Sequence, residues 1–417
     1  MKDILKIYIL LMPMILLALN GCTLSKSLSE RTSEIHDQIL TVDTHIDWPM
    51  RQFLNPDFNP GVRHAPGQRE SGQWDLIRMK EGGLDAVFMS IFTPQKKRTD
   101  EGHATAKEVA LKQIELTKKM VAYNPDLAEI ALTPEDAYRL EKTRKRAIFI
   151  GMENGYPIAK DLRNLQLFFN LGVRYITITH SKNNQLGDSS TDEQPEWGGL
   201  SPFGEKVVQE MNRLGMMVDI SHVHDETFWD VIKLTKAPVI ASHSSARMFH
   251  DVPHNMSDEM LKAIAKNGGV VQVALLDDFI KEMEQTQERA TALEELKEET
   301  FALLHGELSQ AEHKKVMEKM HKIDEKHPKN RPTLADAIDH LDHMVQVMGI
   351  DHVGIGSDFD GGGGLVGIDD VSEMPNITRE LLARGYTADE IRKLWGGNLM
   401  RVFNQVIKVA EEPQKQN

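Results

Sequence analysis

The chain has 417 residues and is acidic: 49 Lys and Arg residues stand against 63 Asp and Glu residues, which gives a formal charge of −14. This balance argues against nucleic acid as a partner, because binding to phosphates needs a basic face. The single cysteine excludes an intrachain disulfide and a cysteine-based zinc site. Any bound metal must therefore be held by His, Asp and Glu side chains.

Residues 1–22 have the pattern of a lipoprotein signal peptide. Lys2 and Lys6 flank the start of an apolar run, Ile7–Leu19, which is too short to span a membrane and suits the core of a signal peptide. Cys22 then stands where a bacterial lipobox places its lipidated cysteine; the alternative is an ordinary secretory signal with an incidental cysteine. Residues 23–34 are expected to form a polar tether. The pattern predicts an exported, membrane-anchored lipoprotein on the periplasmic face of an outer membrane or on the cell surface.

Short apolar runs alternate with amphipathic stretches along the rest of the chain. Eight runs are predicted strands: Ile39–His45, Leu84–Phe92, Ala147–Glu153, Val173–His180, Met216–His222, Pro238–His243, Gly269–Leu275 and Val353–Asp358. Most are separated by stretches with apolar residues at helical spacing, such as Leu334, Ile338 and Leu341. Eight strand–helix units predict one α/β domain, a (β/α)8 TIM-type barrel over residues 35–410. An open doubly wound sheet is the alternative, which is weakened because no G-x-G-x-x-G motif follows the first strand.

Residues 281–330 interrupt this alternation after the seventh predicted strand. The segment is charged and rich in Glu, Lys and Met, so we expect a helical insertion there. A lid and a dimer contact are the functional interpretations of this insertion. A solvated helical hairpin is the simpler interpretation.

Six of the eight predicted strands finish on, or next to, a His or an acid. The residues concerned are His45 with Asp47, Glu153, His180, His222, His243 and Asp358. Active sites of such barrels are built at the carboxyl ends of the strands, so we expect these side chains to converge there. Packing explains the set poorly, because unpaired charges are costly to bury, whereas a bound metal would satisfy them.

The spacing of these side chains indicates how they could hold two ions. His45 and Asp47 lie two residues apart, on one side of an extended strand, and could grip one ion. His222 and His243 end consecutive strands and could share a second ion, while the two oxygens of Glu153 could bridge both. Such ligands suit zinc or another borderline divalent ion, and a pair of ions about 3.5–4 Å apart is the usual hydrolytic arrangement.

Seven motifs, in one order, resemble the membrane (renal-type) dipeptidase family of zinc peptidases, which are amidohydrolase-like barrels. The matching segments are 42–47 (VDTHID), 151–155 (GMENG), 175–180 (YITITH), 199–204 (GLSPFG), 218–222 (VDISH), 242–247 (SHSSAR) and 356–361 (GSDFDG). The resemblance covers the chain from about Asp43 to Phe403, apart from the insertion. It implies an enzyme with two Zn2+ per chain that hydrolyses dipeptides, tolerates a D-residue at the C-terminal position, and in relatives forms homodimers.

The resemblance also implies a role for individual metal ligands. His45 and Asp47 would bind one zinc. Glu153 would bridge this ion to a second zinc, held by His222 and His243.

Two further residues are implied in catalysis. Asp358 would act as the acid/base residue beside the first zinc, and His180 would contact the substrate and stabilise the tetrahedral intermediate. The implied reaction is attack of a metal-bridged hydroxide on the peptide carbonyl.

One position departs from the family's pattern. Many relatives carry Arg directly before the Asn in the loop after the sixth strand, where it holds the substrate carboxylate, whereas His254 precedes Asn255 here. A neutral imidazole cannot form the bidentate fork of Arg. His254 and the nearby Arg247 are therefore both candidate substrate-binding residues.

Two other functions compete with a metallo-dipeptidase. A metal-dependent amidohydrolase acting on N-acyl amino acids or lactams could use the same donors. A surface binding protein with a relic metal site is the other alternative. The complete ligand set argues against a relic, because a relic is free to lose a ligand.

Overall fold

The computed structural model describes residues 26–66, 71–304 and 308–412 of the chain. The predicted signal peptide and lipidated Cys22 lie outside these residues and stay predictions. In the described part of the chain, no helix combines the length and the apolar character needed to cross a membrane.

Parallel strands form the centre of the molecule. Those of the described residues are β1 Val42–Ile46, β2 Ala86–Phe92, β3 Ala128–Ile130, β4 Arg146–Glu153, β5 Val173–Thr177, β6 Met217–Asp219, β7 Ile240–Ser244, β8 Val270–Ala274 and β9 Val353–Gly356. Eight of them follow the order β1-β2-β4-β5-β6-β7-β8-β9. A parallel bridge between Ile46 and Phe359 links the first strand to the segment after the last one. The predicted (β/α)8 barrel fold is thus confirmed.

Strand β3 pairs with the start of β4, outside this circular path, with Ala128 opposite Arg146. Strand β3 was not predicted from the sequence, because three residues are too few to show a periodic pattern.

Three predicted strands extend too far. The strands β5, β6 and β9 end before His180, His222 and Asp358, which lie in the loops that follow. His222 and Asp358 have φ angles of 64° and 61°. This left-handed conformation is incompatible with a regular strand, so neither residue could lie within one.

Helices surround the barrel. They are α1 Leu28–His36, α2 Trp48–Leu54, α3 Leu76–Glu81, α4 Asp100–Tyr123, α5 Pro134–Lys142, α6 Leu162–Asn170, α7 Pro202–Leu214, α8 Asp225–Leu234, α9 Asp258–Asn267, α10 Asp277–Ile280, α11 Gln287–Glu294, α12 Lys297–Leu304, α13 Gln310–Lys326, α14 Leu334–Met348, α15 Pro375–Ala383, α16 Ala388–Arg392 and α17 Asn398–Glu411. Local sequence sets many of their starts; for example, the Ser201 hydroxyl accepts from the Gly204 N–H at 2.9 Å, with Pro202 in the first turn of α7.

The first helix, α1, corrects the prediction of a polar tether over residues 23–34 for the part from Leu28 onwards. A capping box between Ser27 and Glu30 starts the helix at Leu28. His36 at its end is buried, and its two ring nitrogens lie 2.7 Å from the Thr378 hydroxyl and 2.9 Å from the Gly82 carbonyl oxygen. The folded domain therefore begins before residue 35, because this helix packs against the body of the protein.

The charged segment after β8 contains α11, α12 and α13. The buried Arg289 guanidinium ties α11 to the end of α13, with 2.6 Å contacts to the Asp324 carboxylate and the His327 carbonyl oxygen. The helices thus form a unit between β8 and β9. The lid and dimer-contact interpretations of this unit stay predictions.

Alternation along β4 positions the functional end of the barrel. Phe149 packs on Phe88, with ring centroids 4.6 Å apart, and faces Phe403 of α17 at 6.0 Å. Because residues two apart share one face of a strand, Glu153 lies on the same side as Phe149, at the carboxyl end of β4. An aromatic plug therefore fills the barrel beneath the residue where the predicted ligands meet.

Candidate metal centre

Glu153 lies at the centre of the predicted ligands. Its Oε2 is 3.5 Å from the Nε2 of His45. Its Oε1 is 3.0 Å from the Nε2 of His222 and 3.6 Å from the Nε2 of His243. The two carboxylate oxygens therefore face separate imidazole groups, as a bridging ligand requires.

The structure brings all the predicted ligands together. Four groups of three residues have donor atoms within 4.8 Å of one another: His45, Asp47 and Asp358; His45, Glu153 and His243; Glu153, His180 and His222; and His222, His243 and His254. Residues from six strand ends thus converge, although they are separated by up to just over three hundred positions in the chain.

Several buried polar atoms in this cluster have no hydrogen-bond partner among the described residues. They include the Nε2 of His45, the Oδ1 of Asp47 and both ring nitrogens of His254. Leaving such atoms unpaired is costly, so the cluster is poorly explained as a structural network. The donor set of imidazole nitrogens and carboxylate oxygens fits divalent ions such as zinc.

The space beside the carboxylates depends on a glycine. A Cβ atom on Gly361 would collide with the carboxylates of Asp47 and Asp358. The loop after β9 therefore leaves room at this point that a larger residue would fill.

A hydrogen bond orients the His45 ring. The Tyr175 hydroxyl donates to the Thr44 carbonyl oxygen at 3.1 Å, and its oxygen lies 3.0 Å from the Nδ1 of His45. The hydroxyl hydrogen is thus used, so the Tyr175 oxygen accepts from an Nδ1–H. This tautomer leaves the Nε2 lone pair of His45 directed at Glu153, the usual arrangement of a ligating histidine.

His243 is oriented in the same way by a serine and an acid. The Ser242 hydroxyl donates to the Asp219 carboxylate at 2.7 Å, and its oxygen lies 2.9 Å from the Nδ1 of His243. The other Asp219 oxygen accepts from the Ser221 and Ser242 N–H groups. The Nε2 of His243 therefore carries the lone pair that can bind an ion.

These positioning residues were missed by the sequence analysis. Asp219 and Asp43 both come just before a strand-end histidine, which is the only local signal they give. Asp43 accepts from the N–H groups of His45 and Ser357, at 3.1 and 2.9 Å. Burial raises the pKa of the Asp43 carboxyl to about 6.

The electrostatics favour an ionised Glu153 beside a neutral His243. At His45, by contrast, the nearby Tyr175 and Asp47 outweigh burial and raise the pKa of the imidazole well above its ordinary value. Burial by itself would raise the pKa of Glu153, but the imidazoles of His180 and His45 hold it well below its ordinary value. Burial, with His45 nearby, lowers the pKa of His243 well below the usual range. Burial and the Asp47 carboxylate raise the pKa of Asp358. Neutral imidazole is the form that binds metals.

Comparison with known proteins identifies the family. The family described as membrane dipeptidase (peptidase family M19) matches residues 29–417. The chain belongs to the M19 membrane dipeptidase family. It is a metallo-dipeptidase, as the sequence motifs predicted, and the family implies a metal cofactor.

Curated relatives agree with this assignment. Dipeptidase tcpJ of Claviceps purpurea (strain 20.1) is 32% identical over 375 residues, which are 88% of this chain and 77% of that protein. Dipeptidase 3 of Mus musculus is 33% identical over 379 residues, covering 89% of this chain and 65% of that protein.

Solved structures share the fold of this M19 chain. The probable dipeptidase PvdM from Pseudomonas aeruginosa superposes with a TM-score of 0.77 at 31% identity, over 92% of this chain and 99% of that one. A metallo peptidase from Rhodobacter sphaeroides, liganded with a phosphinate mimic of the dipeptide L-Ala-D-Ala, has a TM-score of 0.70 at 25% identity. The match covers 88% of this chain and 99% of that one.

The three predicted substrate-binding residues of this M19 chain differ in their surroundings. His180 is partly exposed in the loop after β5, and its Nε2 is 3.6 Å from Glu153 Oε1. Burial and the neighbouring His222 lower its pKa to about 3, so the ring is neutral. His254 is buried beside His222.

Arg247 is already engaged within its own loop. Its guanidinium forms a fork with both Asp225 oxygens, at 2.5 and 2.7 Å. It also donates to the carbonyl oxygens of Asn255 and Pro253, at 2.6 and 3.1 Å. Direct binding of a substrate carboxylate would require breaking these contacts, so this role of Arg247 stays a prediction.

Proposed function

We propose that this protein is a dinuclear zinc dipeptidase. The observation that carries the proposal is the position of Glu153, whose two oxygens face the imidazole of His45 on one side and those of His222 and His243 on the other. A carboxylate in that position can serve two cations at once, which an imidazole with one lone pair cannot do.

The proposed ligands divide into two sets that share Glu153. His45 and Asp47 hold one ion, and His222 and His243 hold the other. Two divalent ions, when bound, lower the pKa of water so that hydroxide is available at neutral pH and polarise the peptide carbonyl.

Two residues beside the ligands carry the proton and substrate chemistry in this proposal. Asp358 takes the proton from the attacking water and passes it to the leaving amine, because its carboxylate lies within reach of His45 and Asp47. His180 lies at the exposed side of Glu153 and, as a neutral ring, donates an N–H to the oxygen that gains charge.

Dipeptides are the proposed substrates, with a D-residue tolerated at the C-terminal position. The support is the Rhodobacter sphaeroides metallo peptidase, which shares the fold over most of both chains and was crystallised with a phosphinate mimic of L-Ala-D-Ala. A phosphinate is tetrahedral, as is the intermediate of hydroxide attack on a peptide.

We also propose an exported protein that is anchored through lipid on Cys22. This proposal rests on the sequence alone, namely the apolar run Ile7–Leu19 followed by the single cysteine. Replacing Cys22 with Ser should abolish incorporation of labelled fatty acid, and continued labelling would contradict it.

A metal and substrate analysis of the purified full-length chain tests the enzymatic proposal. We expect two zinc ions per chain, hydrolysis of L-Ala-D-Ala that chelators abolish and zinc restores, and slow turnover of the N-acetylated dipeptide. A Glu153→Ala, His222→Ala double variant should lose both zinc and turnover. Preference for the N-acetylated compound would favour the amidohydrolase alternative, and full activity of the double variant would contradict the proposed site.

A further inference from the structure

His254 completes a cluster of three imidazoles. Its ring centroid lies 4.2 Å from that of His222 and 5.2 Å from that of His243. One ring nitrogen from each of the three histidines lies within 4.8 Å of the others. His222 and His243 already meet, with their Nε2 atoms 2.9 Å apart. Two nitrogens at that distance need a proton or a cation between their lone pairs.

No hydrogen bond among the described residues accounts for the buried ring nitrogens of His254. The residue is 4% exposed, and neither ring nitrogen makes a hydrogen bond within the described part of the chain. Elsewhere in this protein the buried His340 has both nitrogens bonded to backbone, to the Ala246 N–H and the Ile280 carbonyl oxygen. Outside the metal centre, each buried histidine of the described residues, namely His36, His103 and His340, has at least one ring nitrogen hydrogen-bonded, whereas His254 has none.

The surrounding structure fixes the His254 ring in place. The ring stacks on Phe279, with centroids 3.9 Å apart and planes 5° from parallel. Arg247 binds the carbonyl oxygens of Pro253 and Asn255, the two residues that flank His254. Asn255 in turn donates to the Phe279 carbonyl oxygen at 2.7 Å. Such support is typical of a residue whose position matters for binding.

We propose that His254 is a third imidazole ligand of the second metal ion, together with His222 and His243. This inference rests on the proposed dinuclear function and changes the role expected for the residue. Instead of replacing the carboxylate-binding Arg of relatives, His254 would bind metal. A buried neutral ring has at most one N–H to offer a carboxylate, whereas its lone pair is suited to a cation.

The two metal sites would then differ in chemical character. One has a single imidazole with the carboxylates of Asp47 and Glu153, and the other has three imidazoles and one oxygen of Glu153. Imidazole suits zinc, while carboxylates suit harder ions such as Mn2+ and Mg2+. The imidazole-rich site should therefore bind zinc more tightly and fill first.

Zinc titration of the metal-free full chain in competition with a chromophoric chelator tests this inference. We expect the wild-type protein to bind two zinc ions with affinities at least about tenfold apart. His254→Phe keeps an aromatic ring against Phe279 but removes the lone pair. It should lower the zinc affinity of the tighter site at least about tenfold, because mutating even a residue that only orients a ligand typically lowers metal affinity about 10–100-fold.

Two further measurements separate ligand loss from other effects. Absorption spectra of the cobalt-loaded protein should change in His254→Phe and not in His343→Ala, which removes a histidine of α14 paired with Asp258. Thermal unfolding of the metal-free forms reports whether each variant is folded, and His254→Ala gives a second variant should His254→Phe fail.

The outcomes distinguish this inference from the proposed function. Absence of stoichiometric zinc from the wild-type chain would overturn the dinuclear function itself. Unchanged zinc affinity and cobalt spectra in folded His254 variants, with only KM for the dipeptide raised, would overturn the ligand role and make His254 a substrate contact.

Discussion

Two clusters of buried charge in this protein differ in whether their polar atoms have hydrogen-bond partners. The Arg78 guanidinium donates to the carboxylates of Asp75 and Asp370, at 2.6 and 3.0 Å, and to the carbonyl oxygens of Gly72 and Ser71. Each of its three nitrogens has a partner. In the metal centre, by contrast, atoms of His45, Asp47 and His254 have none among the described residues.

The difference shows how a structural cluster and a binding cluster can be told apart. Both are buried and both contain acids, so burial and composition do not separate them. What separates them is whether the buried polar atoms of a cluster find hydrogen-bond partners within the protein. We call a cluster closed where they do and open where some do not. Removing one partner from a closed cluster costs stability, whereas removing one donor from an open cluster costs ligand binding or catalysis.

The largest expected effect on the open cluster is that of Asp358→Asn. The amide keeps the shape of the side chain but cannot carry the proposed proton, so kcat should fall by about 10²–10⁴-fold. Unfolding temperature and zinc content should change little. Steady-state kinetics together with metal analysis check this, and retention of at least half of the wild-type kcat would remove Asp358 from its proposed role.

The closed cluster should respond in the opposite way. Arg78→Met leaves Asp75 and Asp370 buried without their cation, and should lower the free energy of unfolding by about 3–5 kcal/mol. The fraction that stays folded should keep the wild-type kcat. Denaturant unfolding with activity measurements checks both parts.

An exposed ion pair provides the control for Arg78. Arg163 pairs with Asp161 at the surface, where its side chain is 92% exposed, so Arg163→Met should leave stability unchanged because solvent screens such pairs. A loss of kcat in the folded Arg78→Met protein would contradict the prediction that this cluster affects stability and not catalysis.

A smaller effect is expected for Ser242→Ala, which removes the hydroxyl between His243 and Asp219. Zinc affinity at the second site should fall about 10–100-fold, because the His243 ring loses the group that fixes its tautomer. Ser244→Ala is a matched control at the end of the same strand, since the Ser244 hydroxyl is buried and has no hydrogen-bond partner among the residues that the structure describes. Equal zinc affinities in the two variants would show that the contact to Ser242 does not support the metal site.

The candidate site could be predicted in part because barrels place strand ends together. Hydrophobic alternation located the eight barrel strands, and the residue types at their ends indicated metal chemistry. The sequence did not reveal that His222 and Asp358 leave the strands in a left-handed conformation, since this depends on the neighbours that hold those loops. Nor did it place α1, whose His36 finds its partners at Gly82 and Thr378.

By itself the sequence determined the barrel, its family and the pool of metal donors, because periodicity and motifs are local properties that a single chain displays. Only the tertiary structure decided which oxygen of Glu153 faces which imidazole, which tautomers Tyr175 and Ser242 impose, and that His254 joins His222 and His243. The physical reason is that donor direction and burial arise from contacts between segments far apart in the chain. No spacing along the sequence encodes those contacts.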